Sequence, residues 1–296
     1  MNSVDDLTSV AATSVKTSDG IILSVSDRGS GSVIVLVHGW AMDSDMWEYQ
    51  IPALISSGFR CVSYDQRGCG RSSRPGEGYD FDRLADDLAD VLEQRDLSAV
   101  TLVGFSLAGG VIARYLSRHG SARICSAVLV AANTPYLLKA DDNPDGMDRA
   151  LVYDHFLAGL QTDRPKLLAE VAPGFFGTGR NGVPASAEII GWALSLCHRS
   201  DAYAMLELYK KVNQTDFRSD MSAFDIPTLL IHGDEDPFQP LEYTARRAAA
   251  MIPNSRLQIY VGASHGLFFT HKSDLNRDLA DFARNTQRGS TAAAQS

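Results

Sequence analysis

The stretch GFSLAGG, residues 104–110, decides how the rest of the chain is interpreted. It follows the apolar run AVTLV and leads into VIARYL, a pattern that predicts a buried strand, a sharp turn at Ser106 and a helix. Such a turn needs small residues two positions on either side of the serine, because the strand and helix backbones approach closely there. Gly104 and Ala108 occupy those positions. The stretch fits an exposed nucleophilic serine, and it also fits a glycine-rich turn with an incidental serine.

Composition and charge argue against several classes of protein. The 296 residues are 45% hydrophobic and 21% charged, which is typical of a globular protein with a sizeable core. The net charge of −9 argues against nucleic acid or an anionic membrane as a partner, because binding phosphate needs clustered Lys and Arg. No apolar run approaches the roughly 18–20 residues that span a bilayer. Residues 1–20 lack the features of a secretory signal, so we expect a cytoplasmic protein.

The four cysteines give no sign of a metal site or of a disulfide framework. They are Cys61, Cys69, Cys125 and Cys197, and none of them is in a CxxC spacing. We therefore expect no metal, and nothing in the sequence implies an organic cofactor. The expected partner is a small-molecule substrate, and a homo-oligomer is compatible with the sequence.

Short apolar runs alternate with helical patterns along most of the chain. Continuous runs of Val, Ile and Leu are typical of strands covered on both faces, and they predict strands at 33–38, 61–65, 101–104, 127–132, 228–233 and 257–262. Residues 81–94 place their apolar side chains on one face of a helix, and further helices are predicted after Ser106, around 241–251 and at 274–282. A DG turn in SVKTSDGIILSVSDRG (14–29) predicts a hairpin. This alternation predicts an α/β fold with a mostly parallel central sheet and helices on both faces.

One long segment, residues 135–225, interrupts this alternation. It is helical in pattern and rich in aromatic residues, and at about 90 residues it is too long for a loop. We expect a helical lid (cap) subdomain at 135–225, inserted into a core made of 1–134 and 226–286, with a flexible tail at 287–296. Five aromatic residues are candidates for lining a substrate pocket, and the alternative for each is a place in the core: Tyr136, Phe156, Phe175, Trp192 and Phe238.

A serine nucleophile needs a general base, and the base needs an orienting acid. The stretch HGDEDPFQP (232–240) follows a late strand and offers three acids: Asp234, Glu235 and Asp236. The stretch VGASHGLFFTH (261–271) follows the last strand and offers His265 in a loop of small residues. The order serine, acid, histidine is that of a known hydrolase triad.

The stretch HGW (38–40) ends an early strand and opens a loop that can carry an oxyanion donor. The backbone amide of Trp40 is the candidate for this donor, beside the amide of Leu107 at the start of the helix. His38 could be taken for the base, but it is better explained as a residue that pins the loop by side-chain hydrogen bonds.

From about Gly20 to Arg284 the chain resembles the α/β-hydrolases, and within them the bacterial non-haem haloperoxidases and aryl esterases. The stretches that carry the resemblance are VHGW, VSYDQRGCGRSSRP, LVGFSLAGGVIARYLSRHG, PTLLIHGDEDPF and GASHGLFFTHKSDLNRDL. The resemblance implies the triad Ser106, Asp236 and His265, in preference to Asp234 as the acid and His271 as the base. It implies the amides of Trp40 and Leu107 as oxyanion donors. It also assigns Asp65, Arg67 and Gly68 to a structural turn.

Two positions depart from the family pattern. Ala108 stands where the family usually has glycine, and the added methyl group should shift the turn slightly without blocking it. Ala41 stands where members that form peracids carry proline, directly after the aromatic residue of the oxyanion loop. This second departure favours hydrolysis over peracid formation.

The resemblance implies a serine hydrolase that cleaves a carboxylic ester or lactone through an acyl-enzyme. An apolar or bulky substrate is expected from the aromatic lid, and a macrolactone antibiotic ranks below a generic carboxylester. The alternatives are a perhydrolase or haloperoxidase-type side activity, a carbon–carbon bond hydrolase and a non-catalytic receptor of the same fold. The serine at 106 argues against haloalkane dehalogenases and epoxide hydrolases, which use an aspartate nucleophile.

Overall fold

The computed structural model describes residues 13–178 and 185–293. Sequence predictions that fall on 1–12, 179–184 or 294–296 lie outside these residues. They concern most of the segment tested for a secretory signal, a short part of the lid and the end of the predicted tail.

A sheet of eight strands runs through the described residues, in the spatial order β1-β2-β4-β3-β5-β6-β7-β8. The strands β1 and β2 form the predicted hairpin, the pairs β1–β2 and β2–β4 are antiparallel, and all other pairs are parallel. The six predicted core strands are confirmed, with ends that differ by up to three residues. The strands are β1 (Thr13–Lys16), β2 (Ile22–Gly29), β3 (Ser32–Val37), β4 (Phe59–Tyr64), β5 (Val100–Phe105), β6 (Ile124–Val130), β7 (Thr228–Gly233) and β8 (Ser255–Tyr260).

The helices cover both faces of this sheet, as expected for an α/β fold. They are α1 (Ile51–Ser56), α2 (Phe81–Gln94), α3 (Leu107–His119), α4 (His155–Phe176), α5 (Ala187–Arg199), α6 (Ala202–Gln214), α7 (Ala245–Met251), α8 (Leu267–Thr270) and α9 (Lys272–Ala293). Short 3-10 helices cover Ser44–Tyr49 and Asp220–Ala223, and a π-helical turn covers Ala150–Asp154. Helix α2 has the predicted bounds because Asp80 caps it by accepting a hydrogen bond of 2.9 Å from the amide of Arg83.

Helix α9 is longer than predicted. It continues to Ala293, whereas the sequence assigns 287–296 to a flexible tail. The segment contains no proline, and its single glycine, Gly289, costs a helix only about 1 kcal/mol relative to alanine. Small, polar composition is therefore a weak signal for where a helix ends. Among the helices at 13–178 and 185–293, none is both long and apolar enough to cross a bilayer.

Alternating residues of the strands pack into two hydrophobic cores, one on each face of the sheet. Val35 and Val37 of β3 pack on the side of α2 and α3, while Ile34 and Leu36 pack on the side that includes α8 and α9 residues. This alternation explains why the sequence shows a continuous apolar run, since both faces of each central strand are buried.

The order of the strands places a crevice between the carboxyl ends of β3 and β5. The chain passes from β3 to β4 on one side and then returns to β5 on the other side of β3. In open α/β sheets, ligands bind at such a point of reversal because the two loops leave the sheet in opposite directions. Residues 38–40 follow β3 and Ser106 follows β5, so both candidate stretches begin at this crevice.

The segment between β6 and β7 contains α4, α5 and α6. Helix α4 is interrupted at Asp163, which has a φ of −150° and a ψ of 78°. Pro165 follows this break, and the carboxylate of Asp163 accepts a hydrogen bond of 3.1 Å from the amide of Lys166. Helices are thus observed in the described parts of 135–225, while the definition of this segment as a separate lid subdomain stays a prediction.

Candidate active site

Ser106 lies in a strained turn between β5 and α3. Its backbone has a φ of +53° and a ψ of −115°, a combination that L-residues rarely adopt and that costs on the order of 1–3 kcal/mol. The turn is held from both sides, since the Ser106 amide donates to the carbonyl of Val130 at 2.9 Å and the Ser106 carbonyl accepts from the amide of Gly109 at 2.9 Å. Strain of this kind persists only where the surrounding structure fixes it.

Glycines on either side of Ser106 are required by close packing. A Cβ atom at Gly104 would lie 2.8 Å from the carbonyl oxygen of Ala108, and one at Gly109 would lie 2.4 Å from the Cβ of Ala132. Ala108 itself is fully buried in the core on the side of α2 and α3. The strand therefore accommodates the helix through Gly104, and the methyl group of Ala108 packs into the core.

The structure brings Ser106, His265 and Asp236 together. The Oγ of Ser106 lies 3.0 Å from Nε2 of His265, and Nδ1 of His265 lies 2.6 Å from Oδ2 of Asp236. In the tautomer that fits both contacts, the Nδ1–H of His265 donates to the carboxylate and its Nε2 accepts from the serine hydroxyl. All three residues are buried.

The carboxylate of Asp236 is held by its own loop. Its Oδ1 accepts hydrogen bonds from the amides of Phe238 at 2.8 Å and Gln239 at 2.9 Å. Burial raises the pKa of Asp236. The electrostatic attraction of the neighbouring His265 and the hydrogen bonds from His265 and the Gln239 amide together outweigh burial, so the pKa lies below its ordinary value. Asp236 is therefore ionised over the neutral pH range.

The competing acids and bases have other contacts. Asp234 accepts a hydrogen bond of 2.7 Å from the amide of Gly262 and so supports the loop that carries His265. His271 contacts Thr270 Oγ1 at 3.0 Å and stacks on Tyr260, with 5.7 Å between ring centroids. The conformation of the loop after β7 thus puts Asp236, and not Asp234, beside His265. The sequence pattern alone left the choice between these two acids open.

His38 has the structural contacts that the sequence predicts. Its Nδ1 contacts the carbonyl of Gly39 at 2.8 Å, and its Nε2 accepts from the amide of Gln66 at 2.8 Å. Gln66 also donates from its side chain to the carbonyl of His38 at 2.7 Å. The residue is fully buried and ties the loop after β3 to the loop after β4.

Asp65 and Arg67 are also in structural networks. Asp65 accepts hydrogen bonds from the hydroxyl of Ser44 at 2.6 Å and from the amide of Arg71 at 2.8 Å. Burial opposes ionisation of Asp65, but its hydrogen bonds from Arg71 and Ser44 prevail and lower its pKa to about 2. Arg67 forms a bidentate ion pair with Asp87, at 2.6 and 2.7 Å. Neither Asp65 nor Arg67 lines the cavity at Ser106.

The two candidate oxyanion donors, Trp40 and Leu107, follow β3 and Ser106 respectively. Within the described part of the chain, neither backbone amide donates a hydrogen bond to another residue. The indole of Trp40 donates from Nε1 to the carbonyl of Met205 at 2.8 Å and packs against Tyr209, at 5.4 Å between centroids. The side chain of Trp40 therefore anchors α6, while its amide is left available. The role of both amides stays a prediction.

A cavity of about 280 Å³ opens on Ser106 and His265, and most of its wall is apolar. Three of the five predicted lining residues, Phe156, Phe175 and Phe238, are in this wall. Three rings surround the imidazole of His265, since the centroids of Phe105, Phe175 and Phe238 lie 5.0, 5.2 and 5.7 Å from it. This enclosure shields the imidazole from water.

Tyr136 and Trp192 lie outside the cavity, contrary to the prediction that they line it. Trp192 packs edge-on against Tyr49 at 6.0 Å and lines a separate polar cleft with Ser195 and Arg199 of the same helix. Helix α5 turns its opposite face, with Ala193 and Cys197, to the cavity at Ser106.

The ring of Tyr136 packs instead under the guanidinium of Arg218, at 5.4 Å. Aromatic content identified the region but could not tell which way each ring points.

Apart from Phe175, sequence reasoning missed a wall of the cavity that comes from α4. The missed side chains share one helical face with Phe175 and are Leu168, Val171, Ala172 and Phe176. Their spacing is that of an amphipathic stripe, so helical periodicity could have found them. It also missed two polar residues of the wall, Asn213 and Gln239, for which no sequence pattern gave a signal.

No cluster of His, Cys, Asp or Glu at 13–178 or 185–293 has the arrangement needed to hold a metal ion. The four cysteines are unpaired.

Comparison with known proteins identifies the family of this chain. Residues 32–272 match the model of the alpha/beta hydrolase fold family. The chain is 39% identical to a non-heme chloroperoxidase of Kitasatospora aureofaciens, covering 90% of this chain and 97% of that protein. It is 33% identical to a bifunctional esterase/perhydrolase of Acinetobacter calcoaceticus, over 92% of this chain and 99% of that protein.

Among solved structures, a bromoperoxidase from Bacillus anthracis superposes with a TM-score of 0.88 and 39% identity, covering 92% of this chain and 99% of that one. The match to the family model spans most of the chain and includes Ser106, Asp236 and His265. The chain therefore belongs to the α/β-hydrolase fold family, and its relatives include non-heme haloperoxidases and esterases.

Proposed function

We propose that this protein hydrolyses a carboxylic ester or lactone through an acyl-enzyme formed on Ser106. The observation that carries the proposal is the continuous contact from Ser106 Oγ to His265 at 3.0 Å and from His265 to Asp236 at 2.6 Å, in a buried site beside a cavity. Serine is a weak nucleophile unless a positioned base takes its proton.

In the first half-reaction, Ser106 Oγ attacks the substrate carbonyl and His265 Nε2 accepts the hydroxyl proton. Asp236 holds the imidazole in the required tautomer and stabilises the imidazolium that forms. The amides of Trp40 and Leu107 donate to the developing oxyanion, and each such donor contributes roughly 3–4 kcal/mol in measured cases. The imidazolium then protonates the leaving alkoxide, which departs as the alcohol.

In the second half-reaction, water attacks the acyl-enzyme and His265 again accepts a proton. The tetrahedral intermediate collapses, Ser106 regains its proton from the imidazolium, and the acid is released. For a lactone the alcohol and the acid remain parts of one product, so the substrate gains one water without fragmentation.

The size of the cavity favours a compact substrate. A volume of about 280 Å³ is about twice that of an engineered cavity, of roughly 150 Å³, that binds benzene. An acyl group the size of a benzoyl or short-chain acid fits this space, whereas most of a macrolactone ring would lie outside it. We therefore place a small aryl or alkyl ester, or a small lactone, ahead of the macrolactone considered from the sequence.

A perhydrolase activity is the second candidate, because relatives of 39% and 33% identity have names that include chloroperoxidase and perhydrolase. Residue 41 favours hydrolysis. Ala41 has a φ of +64°, and proline, which is held near −65°, cannot adopt that conformation. The loop of the peracid-forming members, with proline at this place, is therefore not reproduced here.

The proposal is tested by the rate of 4-nitrophenyl acetate and benzoate hydrolysis, with peptide mass mapping of the site labelled by an organophosphate. We expect Ser106→Ala to lower kcat by up to about 10⁶-fold, and the label to be on Ser106. Ser222→Ala, at an exposed serine, is the matched control and should leave both results unchanged.

An unaltered rate in Ser106→Ala would contradict the proposal. Cleavage of a carbon–carbon bond in a 1,3-diketone at a rate above that of every ester would favour the carbon–carbon hydrolase. Tight binding of esters without turnover would favour the receptor. Peracid formation that exceeds hydrolysis when hydrogen peroxide is added would favour the perhydrolase.

A further inference from the structure

Two carboxamide side chains lie in the otherwise largely apolar wall of the cavity at Ser106. They belong to Asn213 of α6 and Gln239 of the loop after β7, and each residue is only 6% exposed. Buried side-chain amides in proteins nearly always have hydrogen-bond partners. Oε1 of Gln239 is a buried atom without a partner and therefore calls for a physical explanation, and Asn213 faces the same cavity.

The backbone of Gln239 is fixed while its side chain is unpaired. Its amide donates to Asp236 Oδ1 at 2.9 Å, and its carbonyl accepts from His232 Nε2 at 2.6 Å and from Thr244 Oγ1 at 3.3 Å. The side-chain oxygen Oε1 is buried and has no hydrogen-bond partner among the described residues. The carboxamide is thus carried on the same rigid loop as the candidate acid, and neither its oxygen nor its nitrogen has a hydrogen-bond partner among the described residues.

Asn213 presents a second free acceptor. Its Nδ2 donates to the carbonyl of Tyr209, one turn earlier in α6, at 3.2 Å. A carbonyl oxygen can only accept, so this contact fixes the orientation of the amide and leaves Oδ1 as an acceptor. No residue in the described parts of the chain donates to that Oδ1.

The charge of the wall restricts what could pair with these oxygens. The lining residues include no lysine or arginine among those described, so the cavity offers no cation for a carboxylate or a phosphate. Gln239 Oε1 and Asn213 Oδ1 are free acceptors, and Nε2 of Gln239, which no described residue contacts by a hydrogen bond, is a free donor. An uncharged group that pairs with the two oxygens must donate a hydrogen bond, and one that can also accept pairs with Nε2 as well. A hydroxyl group meets both conditions and is small enough for a compact cavity.

We propose that Gln239 and Asn213 form a polar subsite for a hydroxyl group of the substrate, so that the preferred substrates are compact, uncharged, hydroxyl-bearing esters or lactones. This inference rests on the proposed ester hydrolysis at Ser106. A site built to hydrogen-bond a hydroxyl rejects the analogue without it, because the buried polar groups are then left unpaired. The subsite would accordingly discriminate between substrates of equal size by polarity.

The test compares isosteric pairs of esters that differ by hydroxyl against methyl. On the acyl side the pair is 4-nitrophenyl 3-hydroxybutanoate and 3-methylbutanoate, and on the alcohol side it is 2-hydroxypropyl and 2-methylpropyl butanoate. We expect kcat/KM to be at least about tenfold higher for the hydroxyl ester in one of the two pairs. The pair that shows the preference locates the hydroxyl on the acyl or the alcohol part.

Variants then assign the preference to the two side chains. In Gln239→Met and Asn213→Leu, which keep the approximate size, the hydroxyl-to-methyl ratio should fall towards one, whatever the absolute rates. Gln94→Met, at an exposed glutamine whose side chain donates to the carbonyl of Lys16, is the matched control and should retain the ratio of the unmodified protein. Two independent variants keep the test valid if one of them does not fold.

A ratio near or below one in both pairs overturns the subsite, and so does a preference that survives in both variants. Failure of the proposed hydrolysis is a separate result, in which no ester of either pair is turned over. In that case the subsite is tested by calorimetric measurement of ester binding to the Ser106→Ala variant. Methyl 3-hydroxybutanoate should bind at least about tenfold more tightly than methyl 3-methylbutanoate. Equal affinities would overturn the subsite without reference to catalysis.

Discussion

The hydroxyl of Ser200 donates a hydrogen bond of 2.9 Å to the backbone carbonyl of Ala41. This contact ties the residue after Trp40 to the junction between α5 and α6, in a position where Ala41 is fully buried. Ala41 also has a φ of +64°, in the left-handed region. The loop that carries a candidate oxyanion donor is thus held in a conformation that proline cannot adopt.

Ala41→Pro is expected to lower the free energy of unfolding by more than about 1 kcal/mol, because the ring of proline is incompatible with a positive φ. Ala41→Gly is the matched variant and should change the free energy of unfolding by less than about 1 kcal/mol, since glycine adopts this conformation readily. Denaturant unfolding of the three proteins measures both effects. Equal stability of the proline variant would show that the loop is not held at this φ.

Ser106→Gly should stabilise the protein while it abolishes hydrolysis. The backbone at Ser106 has a φ of +53° and a ψ of −115°, and glycine relieves strain on the order of 1–3 kcal/mol. Ser106→Ala removes the same hydroxyl but retains the Cβ, so it should be inactive without this gain. The difference in the free energy of unfolding between the two variants measures the strain. A glycine variant no more stable than the alanine variant would mean that the turn stores none.

The candidate triad was predictable because the signals for it are local. Ser106, Asp236 and His265 each lie within five residues after a strand of the parallel part of the sheet, β5, β7 or β8. The carboxyl ends of parallel strands meet at one edge, so three loops identified from short apolar runs converge in space. The choice of Asp236 over Asp234 could not be made from such local signals, because it depends on which way each carboxylate points within a single loop.

The lining of the cavity was less predictable because it depends on which faces of α4, α5 and α6 turn inward. Trp192 and Ala193 are neighbours in sequence, yet only Ala193 lines the cavity. Aromatic composition does not show which face of a helix turns towards the cavity, whereas the periodic apolar stripe from Leu168 to Phe176 does. Asn213 and Gln239 belong to no motif, and their unpaired oxygens become apparent only when the surrounding contacts are known.

The face of α4 that lines the cavity should control the size of the acyl group. Ala172→Phe places a ring where α4 meets the cavity of about 280 Å³, and it should lower kcat/KM for 4-nitrophenyl benzoate more than for the acetate. Ala158→Phe, at an exposed position in the first half of α4, is the control and should leave the ratio of the two substrates unchanged. An unchanged ratio in Ala172→Phe would show that the acyl group binds elsewhere.

The stability of the fold should depend on pH through two fully buried histidines, His38 and His232. Burial lowers the pKa of both side chains, and the nearby Asp65 and Asp236 offset this only in part. A folded-state pKa below the unfolded value means that the unfolded chain binds more protons once the pH falls below the ordinary histidine value of about 6.5. The stabilisation from neutral His38 and His232 is therefore complete above that pH and is lost as the pH falls.

His38→Gln tests this dependence, because glutamine can accept and donate hydrogen bonds but does not titrate. In the unmodified protein each histidine should contribute up to about 1.4 kcal/mol per pH unit to the slope of the free energy of unfolding between pH 5 and 6. The variant should lose the contribution of His38 and show a shallower slope there, whereas above pH 7.5 the two slopes should coincide. Denaturant unfolding at a series of pH values measures both. Identical slopes below pH 6.5 would show that His38 is protonated equally in the folded and unfolded chains.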